Sequence, residues 1–162
     1  MKLIAPDPGV RLAALSHEYS AKPLLTTVEG RFFRMLTTTI AADGVYIVCK
    51  PRLADFVQHS GGIAAFNRIS QKHVDFLICC RTRNLPMLGI EVDDSSHLQP
   101  DRKNRDIFVN QLFAHIGVPL LRIQVQEIEQ QEQVVEQLNM GWCKRLLHLD
   151  AVSKRNPPSD LS

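Results

Sequence analysis

The chain has no CxxC pair, no apolar run approaching the ~20 residues that span a bilayer, no internal repeat and no low-complexity block. Without CxxC, the four cysteines Cys49, Cys79, Cys80 and Cys143 suggest neither a zinc ribbon nor a disulfide framework. Neighbouring Cys79 and Cys80 would point to opposite faces of a strand, and reduced thiols in a cytoplasm are the expectation. The opening MKLIAPDPGVRLAAL puts two prolines and an aspartate where a secretion signal needs an unbroken apolar stretch. Charge of one sign is also scarce. The net charge is only +2, so affinity for a polyanion has to come from a local basic face rather than from the overall balance.

What is there reads as one soluble domain. A length of 162 residues allows a real core, and 44% hydrophobic against 22% charged residues suits a globular chain without a membrane partner. Residues 1–23 are punctuated by proline and read as an arm. Residues 24–150 carry the periodic segments, and 151–162, ending SKRNPPSDLS, read as a disordered polar tail. TTVEGRFFRMLTTTI predicts a helix with Val28, Phe32, Phe33, Met35 and Leu36 on its apolar stripe. GVYIVCKPRL predicts a strand opened by Asp43-Gly44, followed by a loop around Gly61-Gly62. HVDFLICCRT and LPMLGIEVDD predict two more strands, the first apolar on both faces and therefore central. DRKNRDIFVNQLFAHIG predicts a helix with Ile107, Phe108, Leu112 and Ile116 on one side and Gly117 as its stop. VPLLRIQV predicts a strand and EIEQQEQVVEQL a last helix. The expected fold is α/β: helix, three strands, helix, strand, helix, with a mixed central sheet flanked by helices.

One stretch does not suit a core strand. GIEVDDSSH crowds Glu91, Asp93 and Asp94 together, and like charges a few ångströms apart repel more strongly when buried. If HVDFLICC and LGIEVDD form a hairpin centred on Arg83, Asp75 falls opposite Glu91. Cross-strand partners have Cβ atoms roughly 4.5–5.5 Å apart. Alternation then sends Asp93 to the same face, opposite His73. Two or three converging carboxylates suit a hard cation such as Mg²⁺, which takes one or two protein carboxylates and keeps several waters. The competing reading is that strand-end acids are simply solvated, and it is weakest for Asp75, which is embedded in an apolar strand.

An acid at the start of an apolar strand, a hairpin, and Glu-x-acid on the next strand resemble the PD-(D/E)XK nuclease superfamily. HVDFLICC, LGIEVDDSSH and RKNRDIFVNQLFAHIGVPLLRI are most similar to a bacterial branch of restriction-endonuclease-like domains related to the very short patch repair endonucleases. The resemblance covers residues 24–123.

The resemblance implies that Asp75 and Glu91 ligate Mg²⁺ or Mn²⁺, and that Glu29 is the helix acid many members add to the site. Asp93 stands where the motif has a lysine. An aspartate can bind metal but cannot steady phosphate charge, so another group has to do so. His97 is a candidate general base. Lys72 is a second basic candidate, although alternation turns it away from Asp75. Arg105 is a candidate for neutralising transition-state charge, with an ion pair to Asp106 or to the VDD cluster as its other role. Two readings are likewise open for Glu29, since Thr26-x-x-Glu29 is a capping box, and for Arg122, which reads as an acid's charge partner or as a phosphate contact. Asp101 reads as a helix cap or a site neighbour. Asp55 and His59 are candidates for a substrate groove, and Lys50, Arg52, Arg68, Lys72, Arg81 and Arg83 for contacts to a phosphate backbone. The function expected is a Mg²⁺-dependent DNA endonuclease with no organic cofactor. The rival is an inactive nucleic-acid-binding or partner-docking module on the same fold.

Overall fold

A computed structural model describes residues 19–40, 44–93 and 100–155, with the side chains of 100–105 outside the description. The first helix, α1 (Thr27–Thr39), starts at the capping box expected of Thr26 and Glu29, each side chain meeting the other's backbone N–H. Phe32, Met35 and Leu36 are its buried stripe. Strands β1 (Val45–Cys49), β2 (Phe76–Cys80), β3 (Pro86–Asp93) and β4 (Leu120–Gln124) lie side by side in that order. β2 is antiparallel to both β1 and β3, and β4 runs parallel to β3. A parallel neighbour needs a crossover connection, and the helix α3 (Pro100–His115) supplies it. Between β1 and β2 runs a short helix, α2 (Gly62–Ser70), and the last helix is α4 (Gln131–Arg155).

The mixed sheet flanked by helices is therefore the expected architecture, with corrections to the element list. The stretch after Gly61-Gly62, expected as loop, is α2. It is short and opens on glycine, and of its apolar residues Ile63 and Phe66 are exposed while Ile69 is buried. The first strand ends at Cys49 because Lys50 takes a left-handed φ of 54° and Pro51 follows. In α3 Val109 and Phe113 are fully buried and the expected Phe108, Leu112 and Ile116 pack against the same cluster, while Ile107 is 54% exposed. The last helix begins later than expected, after a 3-10 turn (Val125–Glu127), and continues through Arg155 into the stretch read as tail. Among the described residues no helix is long and apolar enough to cross a membrane.

Helices cover both faces of the sheet. On one, α1 and α4 bury Phe76, Ile78, Leu88, Ile90 and Ile123 beneath Phe32, Leu36, Val134 and Leu138. On the other, Leu77 and Cys79 pack with Val109 and Phe113 of α3 and with Leu53, Ile69 and Val74 of the β1–β2 connection. Buried Arg145 of α4 donates to the carbonyls of Pro86 and Gly117, which ties the end of α3 to the start of β3. Gly117 takes a φ of 66° there, as its reading as a helix stop requires.

Close approach of α3 to the sheet depends on Gly89. A Cβ at that position would fall on the Phe113 ring. Gly89→Ala is expected to cost about 1–3 kcal/mol through overpacking, read as a lower urea midpoint with an unchanged slope. An unchanged midpoint would mean that α3 shifts outward freely.

Candidate active site

The hairpin register places the acids. Phe76 pairs with Ile90, Leu77 with Gly89 and Ile78 with Leu88, so the next step brings Asp75 level with Glu91 as the sequence predicted. A bulge does occur, between Ile78 and Cys79. It sits on the turn side of the pairing and leaves the acid end in register. Asp75 lies one residue before the strand proper, and its Oδ2 accepts the Val92 N–H across the hairpin at 2.8 Å.

The same level of the sheet carries a row of four charges. Val45 to Cys49 pair with Cys80 to Phe76 in descending order, and one step further the Lys50 N–H donates to the Asp75 carbonyl at 2.8 Å. On the other side Glu91 pairs with Arg122 of β4. Across β1, β2, β3 and β4 the order is Lys50, Asp75, Glu91, Arg122: a cation at each end and two carboxylates in the middle. Two carboxylates about 5 Å apart repel by about 3 kcal/mol at an effective dielectric of about 20, whereas an ion pair near 3 Å gains about 5 kcal/mol. The flanking cations therefore outweigh the repulsion they enclose.

Each cation binds more than one acid. Lys50 Nζ is 2.6 Å from Asp75 Oδ1 and 2.6 Å from Glu29 Oε1. Burial alone would lower the lysine pKa, but the hydrogen bonds to Asp75 and Glu29 prevail and hold it above its ordinary 10.5. Burial likewise pushes the Glu29 carboxyl up, while the Lys50 bond and the Thr26 cap together bring it below 4.5. The left-handed backbone that aims Lys50 costs about 1–2 kcal/mol for a residue with a Cβ. Arg122 Nη1 meets Glu91 Oε2 at 2.7 Å and Asp93 Oδ2 at 3.0 Å, and its Nη2 meets Asp106 Oδ1 of α3 at 3.3 Å. Asn110 accepts from the same guanidinium. Arg122 is thus an acid's charge partner, the first of its two sequence readings. Glu91, only 6% exposed, is the most deeply buried of these acids.

Glu29, His73, Asp75, Glu91, Val92, Asp93 and Asp106 enclose a cleft of about 190 Å³. A larger hollow of about 710 Å³ between α3, β4 and α4 has no carboxylate in its lining, so its size does not make it the chemical site. The small cleft brings together Glu29, Asp75, Glu91 and Asp93 of the expected residues and adds His73 and Asp106. Glu29 both caps α1 and faces the cleft.

Other expectations fall elsewhere. Lys72 donates to the Arg68 carbonyl and lies 5.3 Å from the centre of the Phe108 ring, away from the acids. Asp55 pairs with Arg52, and His59 packs on Phe66. His97 and Asp94 lie outside the described residues, as do the side chains of Asp101 and Arg105. Lys50 was legible only as one of several scattered basic residues; its signal is the left-handed backbone, which the sequence does not display.

The donors that face the cleft are carboxylate oxygens and one imidazole, a set suited to a hard divalent cation. Among the described residues no three ligating side chains stand ready as a metal-holding group. Mg²⁺ needs only one or two protein carboxylates. Asp75 and Glu91 would be the two, and both already accept charge-assisted contacts, Asp75 from Lys50 and Glu91 from Arg122.

A family model described as "Protein of unknown function (DUF2726)" matches residues 21–140, which include every residue of the charged row and the cleft. No curated protein and no solved structure matches the chain.

Proposed function

Because this chain belongs to the DUF2726 family, whose function is unknown, we propose a function from the cleft itself: Mg²⁺-dependent hydrolysis of DNA phosphodiester bonds by a domain of the PD-(D/E)XK, restriction-endonuclease-like kind. The observation that carries the reading is the convergence of five carboxylates, from α1, the β2 and β3 hairpin and α3, on one small polar cleft at the end of the sheet. A structural domain has no need to gather them, since each costs desolvation and repels the rest.

In this reading Asp75 and Glu91 hold the cation, with Asp93 beside them. When bound, it supplies Lewis-acid polarisation of the phosphodiester and a water of lowered pKa. Lys50 and Arg122 offset the repulsion among the acids through their ion pairs. Glu29 fixes Lys50. His97, shortly past β3 in sequence, remains the candidate for proton transfer, and Arg105 for neutralising the developing charge.

The test is a plasmid-nicking assay on the purified chain in Mg²⁺, in Mn²⁺ and in EDTA, with a thermal melt in each. Metal-dependent nicking, abolished by EDTA and accompanied by a higher melting temperature in Mg²⁺, is the expected result. DNA binding that persists in EDTA, with neither nicking nor metal stabilisation, would establish the binding module instead. That outcome has a specific observation in its favour, since Lys50 and Arg122 already neutralise part of the acid cluster.

A further inference from the structure

The motif resemblance calls for a lysine two residues after Glu91, and Asp93 stands there. A lysine is nonetheless present at the same level of the sheet, delivered by the neighbouring strand edge. Lys50 follows directly on β1, its backbone N–H bonded to Asp75 and its ammonium 2.6 Å from both Asp75 and Glu29. Side-chain exposure is 21% for Lys50, 15% for Asp75 and 12% for Glu29, so the group is shielded from solvent and from salt. Its φ of 54° is one that few residues other than glycine adopt. A strained backbone that aims a half-buried cation at two acids of a cleft points to a role for that cation.

We propose that Lys50 is the lysine of this site, displaced from the Glu-x-Lys position to the end of β1. It acts as a positioning residue. Its ammonium orients Asp75 and Glu29 and provides a fixed positive charge just behind the wall of the cleft, in a place Asp93 cannot serve. The assignment rests on the nuclease reading above and deepens it. It also explains why the motif position can carry an aspartate: that aspartate is spent on Arg122.

The two roles of such a cation pull in opposite directions, which makes them separable. An ammonium beside Asp75 opposes a second cation at the same carboxylate while favouring an anionic phosphate. Lys50→Gly removes the charge and at the same time suits the left-handed backbone, so this variant is expected to fold. In it the nicking rate at saturating Mg²⁺ should fall by about 10²-fold, while half-saturation occurs at several-fold lower Mg²⁺. The Mg²⁺-induced rise in melting temperature should persist. Lys50→Arg should recover part of the rate.

Nicking by Lys50→Gly at the wild-type rate and Mg²⁺ requirement would overturn the assignment and leave the nuclease reading standing. Loss of both nicking and Mg²⁺ stabilisation would reduce Lys50 to scaffolding and overturn it as well. If Lys50→Gly does not fold, Lys50→Arg decides alone: a rate as low as that of Glu91→Ala counts against a role for positive charge, and partial activity supports it. Wild-type protein that nicks with no metal tested overturns the Mg²⁺ reading, and wild-type protein that does not nick at all overturns the nuclease reading; either takes the Lys50 assignment with it.

Discussion

Glu91→Gln is expected to lower metal-dependent nicking by about 10²–10³-fold while the protein stays folded. The substitution keeps the side chain's size and removes its charge. Arg122 retains Asp93 and Asp106 as partners, so the half-buried guanidinium is not stranded. The cleft, by contrast, loses the most buried of its acids, a carboxylate level with Asp75 and on its face of the sheet. The measurement is the single-turnover nicking rate beside wild type and Asp75→Asn, with far-UV circular dichroism to confirm folding. Asp75→Asn should also lose the Mg²⁺-induced rise in melting temperature. Undiminished nicking in either variant would remove that residue from the proposed site.

Arg122→Met should have the largest effect on stability. Arg122 joins Glu91, Asp93 and Asp106, which come from β3 and α3. Methionine fills much of its volume but leaves Glu91 buried without that charge partner, next to two further carboxylates. Stranding one member of a buried ion pair costs about 3–5 kcal/mol. The Arg122 side chain is 23% exposed, so about 3 kcal/mol is the fitting end of that range. For a domain of this size that corresponds to a melting temperature about 10 °C lower.

The sign of its pH dependence follows from the charge left behind. Without Arg122, burial and the neighbouring acids raise the folded-state pKa of Glu91 above its unfolded value of about 4.3. The penalty is then absent below about pH 4, where the carboxyl is protonated in both states, and it grows as pH rises. Calorimetry at pH 4 and pH 7 checks this. Adding Glu91→Gln to Arg122→Met should restore part of the loss, because the pair is coupled and the neutral amide no longer needs a cation. Equal destabilisation at both pH values would mean that Arg122 acts by packing rather than by charge.

How much of the site was legible follows from the range of each contact. Asp75 and Glu91 are joined by one short hairpin, whose strands are recognisable from their apolar content, and period-two alternation then sets which acids share a face. The Ile78/Cys79 bulge shows how close that inference ran to failure: on the other side of Ile78 it would have moved Asp75 off Glu91. Helix α2 was missed because Gly61-Gly62 reads as loop and the Ile63, Phe66 and Ile69 repeat that follows spans only about two turns. Ile107 was assigned to the core in place of Val109 because α3 is apolar around much of its circumference near its middle, and packing against Leu77 and Cys79 chooses the face.

By itself the sequence determined the elements with strong periodicity, the Thr26–Glu29 cap and the opposition of Asp75 to Glu91, all settled by neighbours within a few residues or one tight turn. Only the tertiary structure decided what neutralises those acids. Lys50 reaches Asp75 because β1 pairs with β2 across the α2 excursion, and Arg122 reaches Glu91 because β4 lies parallel to β3 after the α3 crossover. No local turn sets either register. Each is fixed by the burial of Phe76, Ile90, Val109, Phe113 and Ile123 between the covering helices, a collective packing term that no short window of residues contains.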